Sequence, residues 1–118
     1  MHDTLHPVIV MVSLLLSQTI WAQETREAFC APVDVSSLRD RVQLQCADDV
    51  RDGGESLRLF VVPAADAEFA NRFLNTASAA LVGGRVLVVQ YRGRSLLPDE
   101  SSPSCGKGCR LVVAISIR

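Results

Sequence analysis

Apolar residues recur with two different periods along the chain. Residues 41–46 read Arg-Val-Gln-Leu-Gln-Cys, with Val42, Leu44 and Cys46 on one side and polar residues between them. Such alternation marks a half-buried strand. Residues 56–62 (Ser-Leu-Arg-Leu-Phe-Val-Val) predict another, stopped by Pro63. Residues 85–91 and 110–117 are rich in β-branched side chains and predict two more; in the second, Leu111, Val113, Ile115 and Ile117 share the core face. Residues 29–35 predict a first strand, broken by Pro32. Over 67–82 the period lengthens to a helical one. Phe69, Phe73, Ala77 and Leu81 form a stripe, widened by Ala70, Leu74 and Ala80. Asp66 is the expected N-cap, Glu68 sits in the first turn, and Gly83-Gly84 closes the helix. Residues 47–54 predict a polar turn, and 92–104 a long loop.

The predicted order is β-β-β-α-β-β. A mainly β chain with one helix after the third strand has the layout of a small OB-fold-like antiparallel barrel. A β-grasp-like or other α+β sheet with one covering helix shares that order of elements. The first segment lies outside this pattern. Residues 8–16 are an apolar run too short to span a bilayer. Ile20 and Ala22 fit the small-residue positions of a signal-peptidase site, so 1–22 is expected to be a cleaved signal peptide and 23–118 a single domain. A buried N-terminal helix is the alternative. The expected location is secreted or periplasmic.

Composition narrows the chemistry. The chain carries 12 basic and 13 acidic residues, which argues against a nucleic-acid partner, because phosphate binding needs a basic surplus. Both histidines, His2 and His6, lie in the leader. A chain without His has no Ser-His-Asp or Cys-His machinery and lacks the commonest metal ligand. Cys30, Cys46, Cys105 and Cys109 fall in the remainder, an even number in a short exported chain, which reads as a disulfide framework. Three pairings exist; Cys30–Cys46 and Cys105–Cys109 each close a short loop and are the expected ones. The glycines of Cys105-Gly106-Lys107-Gly108-Cys109 suit a tight turn between two bonded sulfurs. A soft metal or a redox pair there is the competing reading, although thiolate metal sites usually need three or four ligands. No cofactor and no metal are expected.

Several features together resemble the B subunits of the subtilase cytotoxin and typhoid toxin, a branch of the AB5 toxins. They are Phe29-Cys30, then Cys46-Ala47, a helix around Phe69-Ala70-Asn71-Arg72-Phe73, the strand Gly84-Arg85-Val86-Leu87-Val88-Val89, and the close pair Ser104-Cys105 and Cys109. The resemblance covers residues 29–109. It implies an OB-fold protomer, a homopentamer, binding to host glycans and a separate toxic subunit as protein partner. The family's Tyr/Ser-containing sugar segment ahead of the first Cys has no counterpart in residues 23–28, so no sugar contact carries over by match. The implied function is a non-catalytic binding module. A stand-alone secreted interaction or inhibitor protein is the alternative.

Candidate residues follow from both lines. Arg85, Tyr91, Arg92, Arg94 and Asp99, on one strand and its exit loop, are the expected ligand contacts, since Arg grips carboxylates and stacks on aromatic rings. The competing reading is a solvated edge strand that uses Arg to block sheet-to-sheet pairing. Ala70, Ala77 and Ala80 are the expected oligomer contacts, against the plainer reading of a helix that caps its own barrel. Asp48-Asp49 and Asp52 lack the spacing of a calcium loop and suit a turn. Asp99-Glu100 are sequence neighbours, whereas a glycosidase pair faces across its substrate. No enzyme activity is expected.

Overall fold

The computed structural model describes residues 24–93 and 108–118. It contains strands β1 (Thr25–Cys30), β2 (Pro32–Ser37), β3 (Arg41–Asp52) and β4 (Glu55–Pro63), helix α1 (Ala67–Gly83), and strands β5 (Leu87–Arg92) and β6 (Cys109–Ile117). The expected signal peptide, Arg94, Asp99, Cys105 and most of the expected 92–104 loop lie outside the described residues.

Two boundaries differ from expectation, for local reasons. The expected first strand is two strands. Pro32 has no N–H to give a ladder, so the chain bends there and changes partner. β1 pairs with β5, while β2 pairs with β3. The expected turn from residue 47 is instead a continuation of β3 to Asp52, with its register against β4 shifted between Gln45 and Val50. Ala47, Asp48 and Asp49 are all exposed in that bulge, which is why they read as turn residues. The actual turn is Gly53-Gly54, where Gly53 takes a left-handed φ of 62°.

The strands form one sheet in the order β1-β5-β6-β4-β3-β2. Every pairing is antiparallel except β4 with β6. The two outermost members, β1 and β2, are consecutive in the chain, so the sheet must curl until its ends meet at Ala31. The Ala47 N–H donates to the Ala31 carbonyl at 2.8 Å, and a disulfide joins Cys30 to Cys46 across the same seam. With β1–β2 counted as one bent strand, the order is strand, strand, strand, helix, strand, strand. This is the OB-fold-like barrel, mainly β with one helix, rather than a flat covered sheet.

Inside the curl lie Leu44, Leu57, Phe60, Val62, Leu87 and Val89, all fully buried. Each such side chain contributes about 1.5–3 kcal/mol on leaving water. α1 closes the open side with Ala70, Phe73, Ala77 and Ala80, also buried. This corrects the expected oligomer contacts. Ala70, Ala77 and Ala80 face the protomer's own core, because a helix lying this close on a sheet needs small residues beneath it. Asp66 stands at the N-cap position, but its side chain makes no capping hydrogen bond; Gly84 closes the helix in the left-handed region, as expected. Cys109 is buried and disulfide-bonded, and Cys105 lies outside the described residues. Among the described residues no helix is long and apolar enough to cross a membrane.

Candidate functional site

The structure separates the residues expected to bind ligand. Along β5, Leu87, Val89 and Tyr91 point inward, so Tyr91 is a core residue and Arg92 faces the other way. The Tyr91 ring packs against Phe60, with centroids 5.2 Å apart. Its hydroxyl donates to Asp52 Oδ2 at 3.2 Å. Asp52 also accepts from Arg26, which stands opposite Tyr91 in the β1–β5 register. Burial raises the Tyr91 phenol above its usual pKa, and the Asp52 charge adds to the rise. The same carboxylate holds the Arg26 guanidinium above its usual value. Nearby, Arg110 is buried and pairs with Glu55 at 2.9 Å. These contacts tie β1, the β3–β4 hairpin, β5 and β6 together at one end of the barrel, and they serve the fold.

Arg85 precedes the opposite end of β5, roughly 20 Å from Arg92 at the rise of a strand. Its guanidinium donates to the Arg118 carbonyl. Arg92 borders a shallow groove with Pro63, Asp66 and Phe69. Arg85, Tyr91 and Arg92 therefore do not form one site. They are close in sequence, but strand length and alternation pull them apart. Arg94 and Asp99 lie outside the described residues.

A different set of side chains does converge. Val42, Leu44 and Cys46 take the inner face of β3, so Gln43 and Gln45 face outward. On β4, Leu57 and Phe60 turn inward, while Ser56 and Arg58 are exposed. These outward residues, with Leu59 and Gly108, line an open groove of about 410 Å³. Asp49, in the bulge of β3, accepts from the Ser56 hydroxyl and pairs with Arg58 Nε at 2.7 Å. At the other end, Arg41 Nε donates to Gln43 Oε1 at 3.1 Å, and Arg41 pairs with Asp40 at 3.2 Å. The groove's arginines thus carry their own counter-charges. Its floor offers amides, a hydroxyl and a balanced Arg–Asp pair.

Chemically, the groove can exchange hydrogen bonds in both directions. An amide both donates and accepts, which suits a ligand that is itself both donor and acceptor. β3 and β4 are the second and third passes of the barrel, the face on which OB-folds bind oligonucleotides and oligosaccharides. Sequence reasoning missed Gln43 and Gln45, although the signal was present: they are the polar half of the alternation that revealed the strand. The acidic turn residues also divide, with Asp49 directed to this groove and Asp52 to Arg26 and Tyr91. No protein-family model matches the chain, and no curated protein matches it.

Proposed function

We propose that the protein is a secreted, non-catalytic glycan-binding module, as the resemblance to AB5 toxin B subunits implies, and that the glycan sits on the outer face of β3 and β4. The observation that carries this reading is the outward convergence of Gln43, Gln45, Ser56 and Arg58 on the second and third strands of an OB-fold-like barrel. Sugar hydroxyls donate and accept, and paired amides and an Arg–Asp couple complement them. The oxidised Cys30–Cys46 bridge and the leader-like residues 1–22 support export. A toxic companion chain and a ring of five belong to the same reading.

Oxidised protein beginning at Gln23 is screened against immobilised glycans, and hits are titrated calorimetrically. Gln45→Ala and Arg58→Ala are expected to weaken binding about tenfold each, the size of one good polar contact. Asp49→Asn frees Arg58 and is expected to shift preference toward carboxylate-bearing sugars. Failure of any glycan to bind, or indifference to both substitutions at the groove, overturns the reading. Light scattering tests the ring separately: five protomer masses support it, and a monomer removes it.

A further inference from the structure

β6 runs on after its parallel neighbour has left it. β4 pairs with β6 only from Leu59 to Val61, opposite Cys109 to Leu111, and ends at Pro63, before the chain enters α1. β6 continues to Ile117. The Arg118 N–H donates to the Val86 carbonyl, in register with the Leu87–Ile117 pair. Antiparallel bonds fall on alternate pairs. Ser116 and Ala114 therefore bond to β5. The N–H and C=O groups of Ile115 and Ile117 point to the other side, into the lane that β4 has vacated. Among the described residues no strand pairs with them there. Burial reports the same gap. Ile115 and Ile117 stand opposite Val89 and Leu87, which are fully buried, yet Ile115 is half-buried and Ile117 is 39% exposed.

The far wall of the lane is α1. Glu68, Phe69, Arg72 and Thr76, along one side of the helix, line an open groove of about 540 Å³ together with residues 113–115 of β6. The groove beside Pro63 and Arg92 continues it, since the two share Asp66, Phe69 and Val113. Asp66 and Glu68 have no ion-pair partner among the described residues, and the Arg72 guanidinium lies 5.9 Å from the centroid of the Phe69 ring. We propose that the lane takes an extended peptide segment of a partner protein, added as a strand to β6 and bearing a basic side chain toward Asp66 and Glu68. Main-chain donors and acceptors at strand spacing select an extended backbone, and the carboxylates select its charge. The helix excludes the sheet edge of a second barrel. An incoming sheet brings another strand about 4.8 Å behind its first, where α1 stands, whereas a lone segment has nothing behind it. The lane shares no lining residue with the β3–β4 groove, so the proposal is independent of the glycan reading.

Random peptides displayed on phage are panned against the whole oxidised chain, and enriched peptides are synthesised and titrated by fluorescence anisotropy. The expected sequences alternate apolar and polar residues and carry Lys or Arg. A saturating peptide is expected to slow hydrogen–deuterium exchange at the Ile115 and Ile117 amides about tenfold and to leave those of Gln43 and Gln45 unchanged. Only one edge of an added strand meets β6, so N-methylating one alternate set of peptide amides is expected to weaken binding about tenfold more than methylating the other. Glu68→Lys is expected to weaken binding about tenfold with the thermal transition unchanged, and peptides with Glu in place of the basic residue to regain it. The proposal is overturned if no enriched peptide slows the two β6 amides, if the two methylated sets bind alike, or if the Glu68→Lys protein binds as the unaltered chain does. It is equally overturned if the chain self-associates in sedimentation and the same amides slow with protein concentration, which would assign the edge to a second copy.

Discussion

Tyr91 is the only tyrosine in the chain, so its phenolate absorbance titrates alone. Its folded pKa is raised above the usual 10.0, chiefly by burial and next by the Asp52 charge. A group that holds its proton more tightly when folded contributes stability that is whole below its unfolded pKa and is lost as pH rises through the folded value. Denaturant midpoints are therefore expected to fall as pH rises above 10.0, more steeply than in Tyr91→Phe. At neutral pH that variant is expected to lose about 1 kcal/mol, because it removes the hydrogen bond to a carboxylate that Arg26 still partners. At this scale the sequence was legible in part. It showed that Val42, Leu44 and Cys46 were buried. It did not show that Tyr91 is, because its neighbours Arg92 and Arg94 made the region look like one cationic patch. Alternation, applied to 85–91 as strictly as to 41–46, would have separated Tyr91 from Arg92.

Helix α1 was the most legible element, from Ala67 to its glycine stop, because apolar period and punctuation agreed. Gly84 has a φ of 63°, and a Cβ there would meet nothing within 4 Å. The cost of Gly84→Ala is therefore backbone strain alone, about 1 kcal/mol, measurable as a lowered thermal midpoint. Ala77 is different, since it is fully buried between helix and sheet. Ala77→Leu is expected to destabilise by about 1–3 kcal/mol through overpacking, with little change if the helix faced a neighbour instead. Equilibrium unfolding distinguishes the two. The strands were less legible at their ends. The bulge at Ala47–Asp49 keeps its backbone in the sheet while exposing three successive side chains, so its composition mimics a loop. The candidate groove was hidden for a related reason: the bulge between Gln45 and Val50 sets which residues of β3 stand beside β4, and a turn read at 47–54 conceals that pairing.

At the scale of the molecule, the barrel is held shut along two dissimilar seams. β3 and β4 pair over most of their lengths, whereas β4 and β6 share only the stretch from Leu59 to Val61. β1 reaches β3 chiefly through the Cys30–Cys46 bond and the Arg26–Asp52 contact. Cys30→Ser/Cys46→Ser is expected to cost about 3 kcal/mol for a loop of this size. In that variant the amides of Thr25–Cys30 are expected to exchange faster than those of Gln43–Gln45, as read by hydrogen–deuterium exchange. Equal acceleration in both strands would show that the bond stabilises the barrel as a whole and not its seam. The kink at Ala31 also has a consequence for the order of events during synthesis. Among the described strands, β1 comes first in the chain and pairs with the last but one, since Cys30 sits opposite Leu87. Contacts so distant along the chain form slowly. Cys46, by contrast, follows Cys30 after a separation of only 16 residues. An oxidising compartment lets that bond close while the helix and β5 are still arriving, so the early strand waits already tethered beside the place where its late partner will land.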